Sequence, residues 1–270
     1  MVSIDAHGGP TLPEDRVHAI VRRSLERSPS FTPAERDQRS GGRKDTLLAT
    51  LEYRELPDAT DHGRDLLVRL SVQVPEPLEG RLGPDGLDCT VLLEREAGQA
   101  DLAADLQQAT DRLSTVLQAR ADVALGTAGA VERLLGSGDT ELITLTLEWL
   151  RDHPGEPTAI AAADQVVELI GLKAGTEAEE EVGLLALEAI GQIGGPEHVP
   201  TVLAHVQLSN PTQVSRAYDA IARLGGPDAE AFLEFAARNE EEPDQRAAAQ
   251  RALKRVANSE GVPTLNRGHR

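Results

Sequence analysis

The chain has 270 residues, which is enough for one large domain or two domains of ordinary size. Hydrophobic residues make up 40% of it but aromatic residues only 2%, so its interior must be built from Ala, Val, Leu and Ile, as suits closely packed helices. The formal net charge of −18 argues against nucleic acid and anionic membranes as partners, because an acidic surface repels phosphate groups.

The single cysteine, Cys89, excludes an intramolecular disulfide and a thiolate metal cluster. No apolar run approaches the ~20 residues that span a bilayer, so we expect no direct membrane insertion. Residues 1–13 are polar, contain Gly and Pro, and lack signal-peptide features, which predicts a flexible N-terminus. We expect a cytoplasmic protein if Met1 is the native start, and a protein of the cell envelope or periplasm if an export signal was removed before it.

Residues 14–125 are predicted to form a small α/β domain. The spacing of Val17, Ile20, Val21 and Leu25 indicates an amphipathic helix over 14–28. Alternation of apolar and polar residues then predicts three strands, near 47–53, 66–74 and 87–93, with a long hairpin loop over 75–86. A second helix follows over 99–124. The order α-β-β-β-α is typical of a small antiparallel sheet with one face covered by two helices.

Residues 126–258 contain an internal repeat of small and aliphatic residues. Three sets occupy positions i, i+3, i+4 and i+7 of a helix, and the second and third sets follow at offsets of 31 and 32 residues. They are Ala186, Ala189, Ile190 and Ile193; Ala217, Ala220, Ile221 and Leu224; and Ala249, Ala252, Leu253 and Val256. We expect stacked helix pairs over 127–152, 157–194, 196–225 and 227–257, and a flexible tail over 259–270.

The repeat boundaries carry the residues that end and begin helices. Gly-Gly-Pro occurs at 194–196 and at 225–227, where glycine is expected to adopt a left-handed conformation and proline to begin the next helix. Thr176 and Glu179 have the spacing of a capping box. The helices after the two Gly-Gly-Pro turns are predicted to bury Val199, Val202 and Val206, and Phe232, Phe235 and Ala236. The predicted fold class is therefore α+β, a small α/β domain followed by an α-solenoid.

At these residues the chain resembles a known family. The segment from about 181 to 256 is similar to the short HEAT repeats of bacterial phycobilisome-lyase-type proteins. That family has Val-Arg before the Ala-rich stretch; Arg246 matches the arginine, whereas Gly183 and Val214 replace it in the earlier repeats. The resemblance implies a bacterial repeat protein that binds a partner. It also implies an alternative, an enzyme or chaperone of the lyase type that handles a tetrapyrrole.

The motifs of common catalytic and metal sites are missing from the sequence. The seven histidines form no HExxH pattern, and no phosphate-binding loop or GxSxG elbow occurs. His198 and His205 could share a helix face, but two turns apart they are too distant to chelate a metal without a third ligand. Trp149 is interpreted as a core or inter-repeat packing residue. We therefore predict no catalytic residues, no metal and no cofactor.

The function that this pattern favours is non-catalytic binding or scaffolding of another protein. Stacked helix pairs form an extended surface, and the second helix of each pair is expected to line its concave side. The candidate contacts are non-core residues of these second helices: Gln192, Asp219, Arg223 and Gln250.

Overall fold

A computed structural model of the chain describes residues 2–7, 12–28, 48–57, 64–73, 87–94, 101–171, 175–206 and 210–260. The chain divides into two units, Met1–Thr127 and Ala128–Arg270. The predicted hairpin loop over 75–86 and the part of the predicted tail beyond residue 260 lie outside the described residues.

Within the described residues, unit 1 contains a sheet of four strands in the order β1 (Val2–His7), β2 (Leu48–Pro57), β3 (Arg64–Gln73) and β4 (Leu87–Leu93). β3 pairs antiparallel with both β2 and β4, so that Leu70 lies opposite Leu51 on one side and Cys89 on the other. The three predicted antiparallel strands are therefore confirmed.

β1 corrects the prediction of a flexible N-terminus for residues 2–7. Val2–His7 pairs in parallel with β2, with Ile4 opposite Leu51. Val2, Ile4 and Ala6 do alternate with polar neighbours, but only three apolar residues carry the pattern and Gly8-Gly9-Pro10 follows directly. The pairing with a strand more than forty residues away decides the conformation here, because strand formation depends on cross-strand neighbours more than on local preference.

Two helices cover one face of this sheet. α1 (Glu14–Glu26) packs against α2 (Leu102–Ala124), and α2 packs against β3 and β4. The covered face carries buried residues such as Leu51, Val68 and Leu70, whereas Arg54, Arg69 and Thr90 on the opposite face are exposed. The α+β fold class is confirmed for this unit.

In unit 2 the described residues form four consecutive helix pairs. The first helices are α3 (Ala130–Leu135), α5 (Pro157–Ala161) with α6 (Ala163–Ile170), a 3-10 turn (Pro196–His198) with α8 (Val199–His205), and α10 (Gly226–Asn239). The second helices are α4 (Thr140–Asp152), α7 (Glu177–Ile193), α9 (Pro211–Leu224) and α11 (Pro243–Glu260). This is the predicted α-solenoid of about four pairs.

The second helices pack side by side: α7 lies between α4 and α9, and α9 lies between α7 and α11. Apart from Leu253, which is partly exposed, every side chain of the three predicted repeat sets is buried. The start of α9 also lies where the sequence predicts it. Asn210 caps α9 by accepting hydrogen bonds from the backbone N–H groups of Thr212 and Gln213, each at 3.1 Å.

The two Gly-Gly-Pro turns differ in conformation, although their sequences are identical. Gly225 and Gly226 have φ of +70° and +85°, as predicted for left-handed glycines. Gly194 and Gly195 instead have φ of −80° and −127°, so the left-handed prediction is wrong for this turn. Gly194 is required there for space, because a Cβ would lie 2.7 Å from both the Ile190 carbonyl oxygen and Leu224 Cδ2.

Phe235 was predicted to be buried, but it is 64% exposed. The buried stripe of α10 runs instead through Ala229, Leu233 and Ala236, with Phe232 partly buried beside it. Phe232 and Phe235 stand three residues apart, and the helix is rotated so that Leu233 takes the central core position. Val206 is likewise only partly buried, whereas Val199 and Val202 are buried as predicted.

Candidate functional site

A cavity of about 270 Å³ lies on the second helices of unit 2. Its lining comes from the C-terminal parts of α4 and α7 and from α9, which lie next to one another. Two lining residues, Leu187 and Ala220, are apolar and buried. The others are polar or charged: Arg151, Glu188, Gln192, Arg216, Asp219 and Arg223.

The two helices that supply most of the cavity lining, α7 and α9, pack closely. Gly191 of α7 faces Ala220 of α9, and a Cβ at Gly191 would lie 3.1 Å from Ala220 Cα. Small residues at both positions allow the two backbones to approach, so residues that flank them on either helix point toward a shared space.

Ion pairs join these helices across the cavity. Glu188 of α7 accepts hydrogen bonds from Arg151 of α4, at 3.4 Å, and from Arg216 of α9. Arg151 also donates to Asp152 at 2.9 Å, and this bond raises the pKa of the Arg151 guanidinium. Because the arginines are a third to a half exposed, each pair stabilises the fold by about 1 kcal/mol at most. Their main effect is to hold these side chains in fixed positions.

Asp219 is bound by Arg255 of α11, the next second helix along the array. Arg223 follows Asp219 by four residues on α9, the spacing at which an arginine and a carboxylate commonly pair on a helix. Within the part of the chain that the structure describes, Arg223 makes no ion pair or hydrogen bond, and the same is true of Gln192. Both side chains are exposed, so both leave hydrogen-bond donors free at the cavity.

Three of the four predicted contact residues thus meet at this cavity: Gln192, Asp219 and Arg223. Gln250 is exposed on α11 but does not line it. The clustering reflects the repeat, because Gln192 and Arg223 are 31 residues apart, the same offset as between the first two buried sets. Equivalent positions of neighbouring repeats face the same side.

Sequence reasoning missed Arg151, Glu188 and Arg216. The repeat offset could have found Glu188, which stands 31 residues before Asp219 and is its equivalent on α7. No comparable signal marks Arg151 or Arg216, because their place at the cavity depends on which side chains reach across between helices.

The histidines and Trp149 have other neighbours. The Nε2 atom of His198, in the 3-10 turn before α8, lies 3.3 Å from Asp164, and that of His205 lies 3.7 Å from Glu168. Trp149 stacks on His153 at 4.9 Å and its indole nitrogen is buried. Among the described residues, no group of three His, Cys, Asp or Glu side chains is arranged to hold a metal ion.

Comparison with known proteins identifies the repeats. Residues 167–254 match the family model for HEAT repeats. The match spans α7 to α10 with parts of the flanking helices, and it confirms the HEAT-like character predicted from the repeated sets. The phycobilisome-lyase type and the bacterial origin stay predictions. No curated protein and no solved structure shows significant similarity to the chain.

None of the helices in the described ranges is both long enough and apolar enough to cross a membrane.

Proposed function

We propose that this protein binds another protein, without catalysis, on the surface formed by the second helices α4, α7, α9 and α11. The observation that carries the proposal is the meeting of Gln192, Asp219 and Arg223, from two adjacent repeats, at one polar cavity. Gln250 on α11 belongs to the same proposed surface as a more distant contact.

The side chains around this cavity are suited to recognition because most are already fixed. Glu188 and Asp219 are held by arginines from neighbouring helices. Side chains that are already ordered lose little conformational freedom when a partner binds, and this favours affinity. HEAT repeats, which residues 167–254 match, commonly serve as scaffolds for protein interactions.

A protein is a better candidate partner than nucleic acid. The net charge of −18 opposes approach to a phosphate backbone. The tetrapyrrole alternative stays a prediction; adding haem or a bilin to the protein and recording absorbance tests it, and an unshifted spectrum would contradict it.

Affinity capture from a lysate of the source organism, with the full chain as bait, tests the proposal. The test variant combines Gln192→Ala, Asp219→Ala and Arg223→Ala. The matched control removes the same three chemical groups from the first helix α10: Asn239→Ala, Asp228→Ala and Arg238→Ala, all at exposed positions. Both variants should keep the wild-type circular dichroism spectrum.

We expect a protein that is captured by the wild type and by the control but lost from the second-helix variant. The proposal fails if the wild type captures nothing above background, or if the second-helix variant retains the partner as well as the control does.

A further inference from the structure

We infer that the cavity binds a carboxylate side chain from an acidic segment of the partner, with Arg223 as its principal donor. This inference rests on the proposed function and names the partner's chemistry. The observation behind it is an arginine that lines a cavity beside carboxylates yet pairs with none of the described residues.

Arg223 is free because its nearest candidate partner is engaged elsewhere. Asp219 lies one helical turn before it on α9, but Asp219 pairs with Arg255 of α11. Glu188, the other carboxylate of the cavity, already accepts bonds from Arg151 and Arg216. The planar guanidinium of Arg223 therefore keeps its donors for a ligand, and a carboxylate matches that geometry with two parallel hydrogen bonds.

The stem of Arg223 is held against α7. Its Cδ atom lies 3.4 Å from the point where a Cβ of Gly191 would be, so the side chain crosses the bare backbone of that glycine. The residue after the glycine is Gln192, whose side-chain amide is also unpaired among the described residues. A carboxylate that enters the cavity thus meets one charged and one neutral donor group, from two different helices.

The local charge favours an anion although the whole chain is acidic. Among the described residues, the cavity lining contains three arginines, Arg151, Arg216 and Arg223, against two carboxylates, Glu188 and Asp219, which leaves one positive charge in excess on the lining itself. Two charges that pair with lining residues, Asp152 with Arg151 and Arg255 with Asp219, cancel each other. Charges elsewhere on the surface are screened beyond about 8 Å at physiological ionic strength. The charges at the cavity itself therefore contribute most to the electrostatic potential that a ligand meets there.

The size and lining of the cavity fit a side chain better than a free small molecule. Its volume of about 270 Å³ is below the range of about 300–1,000 Å³ usual for small-molecule sites, and such sites have mainly apolar walls. Among the described lining residues here, only Leu187 and Ala220 are apolar. A glutamate or aspartate side chain presented by a peptide would be accommodated, with the rest of the partner resting on the surrounding helices.

Fluorescence anisotropy with the full chain tests the inference. The probe is a fluorescein-labelled peptide of alternating glutamate and alanine, and the comparison peptide has glutamine in place of glutamate. We expect the wild type to bind the glutamate peptide and not the glutamine peptide, with affinity that falls as NaCl is added. Arg223→Glu should weaken binding at least about tenfold, whereas Arg223→Lys, which keeps the charge but loses the planar fork, should weaken it about threefold.

The matched control is Arg238→Glu, an equal charge change on the exposed face of α10, where Arg238 pairs only with Glu234 one turn away among the described residues. This variant should bind the peptide as the wild type does. Competition with inorganic phosphate and with free succinate distinguishes a general anion site from one for a peptide; we expect neither to displace the peptide at equal concentration.

The inference is overturned by equal binding of the two peptides, by equal affinity of Arg223→Glu and Arg238→Glu, by displacement with phosphate or succinate, or by no wild-type binding at up to about 1 mM peptide, the upper limit of weak recognition. These outcomes leave the proposed function standing if a partner is still captured by the wild type and lost from the triple second-helix variant. Absence of any captured partner would refute the proposed function itself.

Discussion

Gly191 on α7 and Ala220 on α9 face each other so closely that a Cβ at position 191 would lie 3.1 Å from Ala220 Cα. The nearest atom belongs to a helix backbone, which cannot rotate away as a side chain could. The distance between these two second helices, and with it the shape of the cavity, therefore depends on the absence of a side chain at Gly191.

The substitution Gly191→Ala should destabilise the protein. Alanine favours the helix, but separating two packed backbones costs about 1–3 kcal/mol, which outweighs the gain. Gly183→Ala is the matched control in the same helix, because its nearest neighbours would be an ordinary 3.8 Å and 3.9 Å away. That change should stabilise by up to about 1 kcal/mol. Urea unfolding of both variants measures the difference, and a Gly191→Ala protein as stable as Gly183→Ala would contradict the packing described.

Gly225 is required for its backbone conformation, whereas Gly194 is required because a side chain would not fit there. Gly225 combines φ of +70° with ψ of −164°, a region that only glycine adopts readily, although a Cβ there would meet nothing within 4 Å. Gly225→Ala should therefore cost about 1–3 kcal/mol through backbone strain alone. Gly155, in a turn between α4 and α5, also has open space but no positive φ. Gly155→Ala should change the free energy of unfolding by less than about 0.5 kcal/mol. Equal effects in thermal unfolding would exclude strain at Gly225.

The predicted capping box at the start of α7 is present. Thr176 Oγ1 accepts from the Glu179 N–H at 3.2 Å, and Glu179 accepts from the N–H groups of Gly175 and Thr176 at 2.7 and 3.0 Å. The hydrogen bonds that the carboxylate accepts, first from the Gly175 N–H and then from the hydroxyl and N–H of Thr176, lower the pKa of the Glu179 carboxyl from its ordinary value of 4.5. Its contribution to stability is thus complete above pH 4.5 and is lost as the pH falls below that value.

Glu179→Gln should consequently lower the free energy of unfolding at neutral pH. As the pH falls below 4.5, the free energy of unfolding of this variant should decrease less than that of the wild type. Glu181→Gln is the control, because Glu181 makes no capping contact within the described residues. Chemical unfolding at a series of pH values distinguishes them. If both variants keep the wild-type pH dependence, the capping contact does not contribute as described.

Tyr218 of α9 donates a hydrogen bond to Glu240, which lies between α10 and α11, at 3.0 Å. Burial, followed by this bond and the carboxylate charge, raises the pKa of the Tyr218 hydroxyl well above 10. The folded state thus favours the neutral hydroxyl, and its contribution is complete below pH 10 and declines above it. Tyr218→Phe should lower the free energy of unfolding by about 1 kcal/mol at neutral pH. Above pH 10 the free energy of unfolding of this variant should decrease less than that of the wild type. Parallel pH curves for the two proteins would contradict this role.

Much of the solenoid was predictable because one local rule is repeated. The spacing of residues such as Ala189 and Ile190 follows from helix geometry, and Asn210-Pro211 marks a helix start by its own chemistry. Features set by distant partners were not predictable. β1 depends on pairing with β2, and the exposure of Phe235 depends on the rotation of α10. The lack of space for a side chain at Gly194 depends in part on Leu224 of the next helix pair.

The candidate site was partly predictable for the same reason. Gln192 and Arg223 were predicted as non-core residues of the second helices, and the repeat offset explains why they lie on one side. The pairing of Asp219 with Arg255 rather than with Arg223 was not, because it depends on the distance between two helices that lie in different repeats. That pairing is what leaves Arg223 free.

Hydrogen–deuterium exchange of the full chain, with and without the captured partner, tests most directly whether the second helices form the binding surface. We expect slower amide exchange in α7 and α9, residues 177–193 and 211–224, with α8 and α10 unchanged. Protection confined to α8 and α10, or to the sheet of unit 1, would contradict the account.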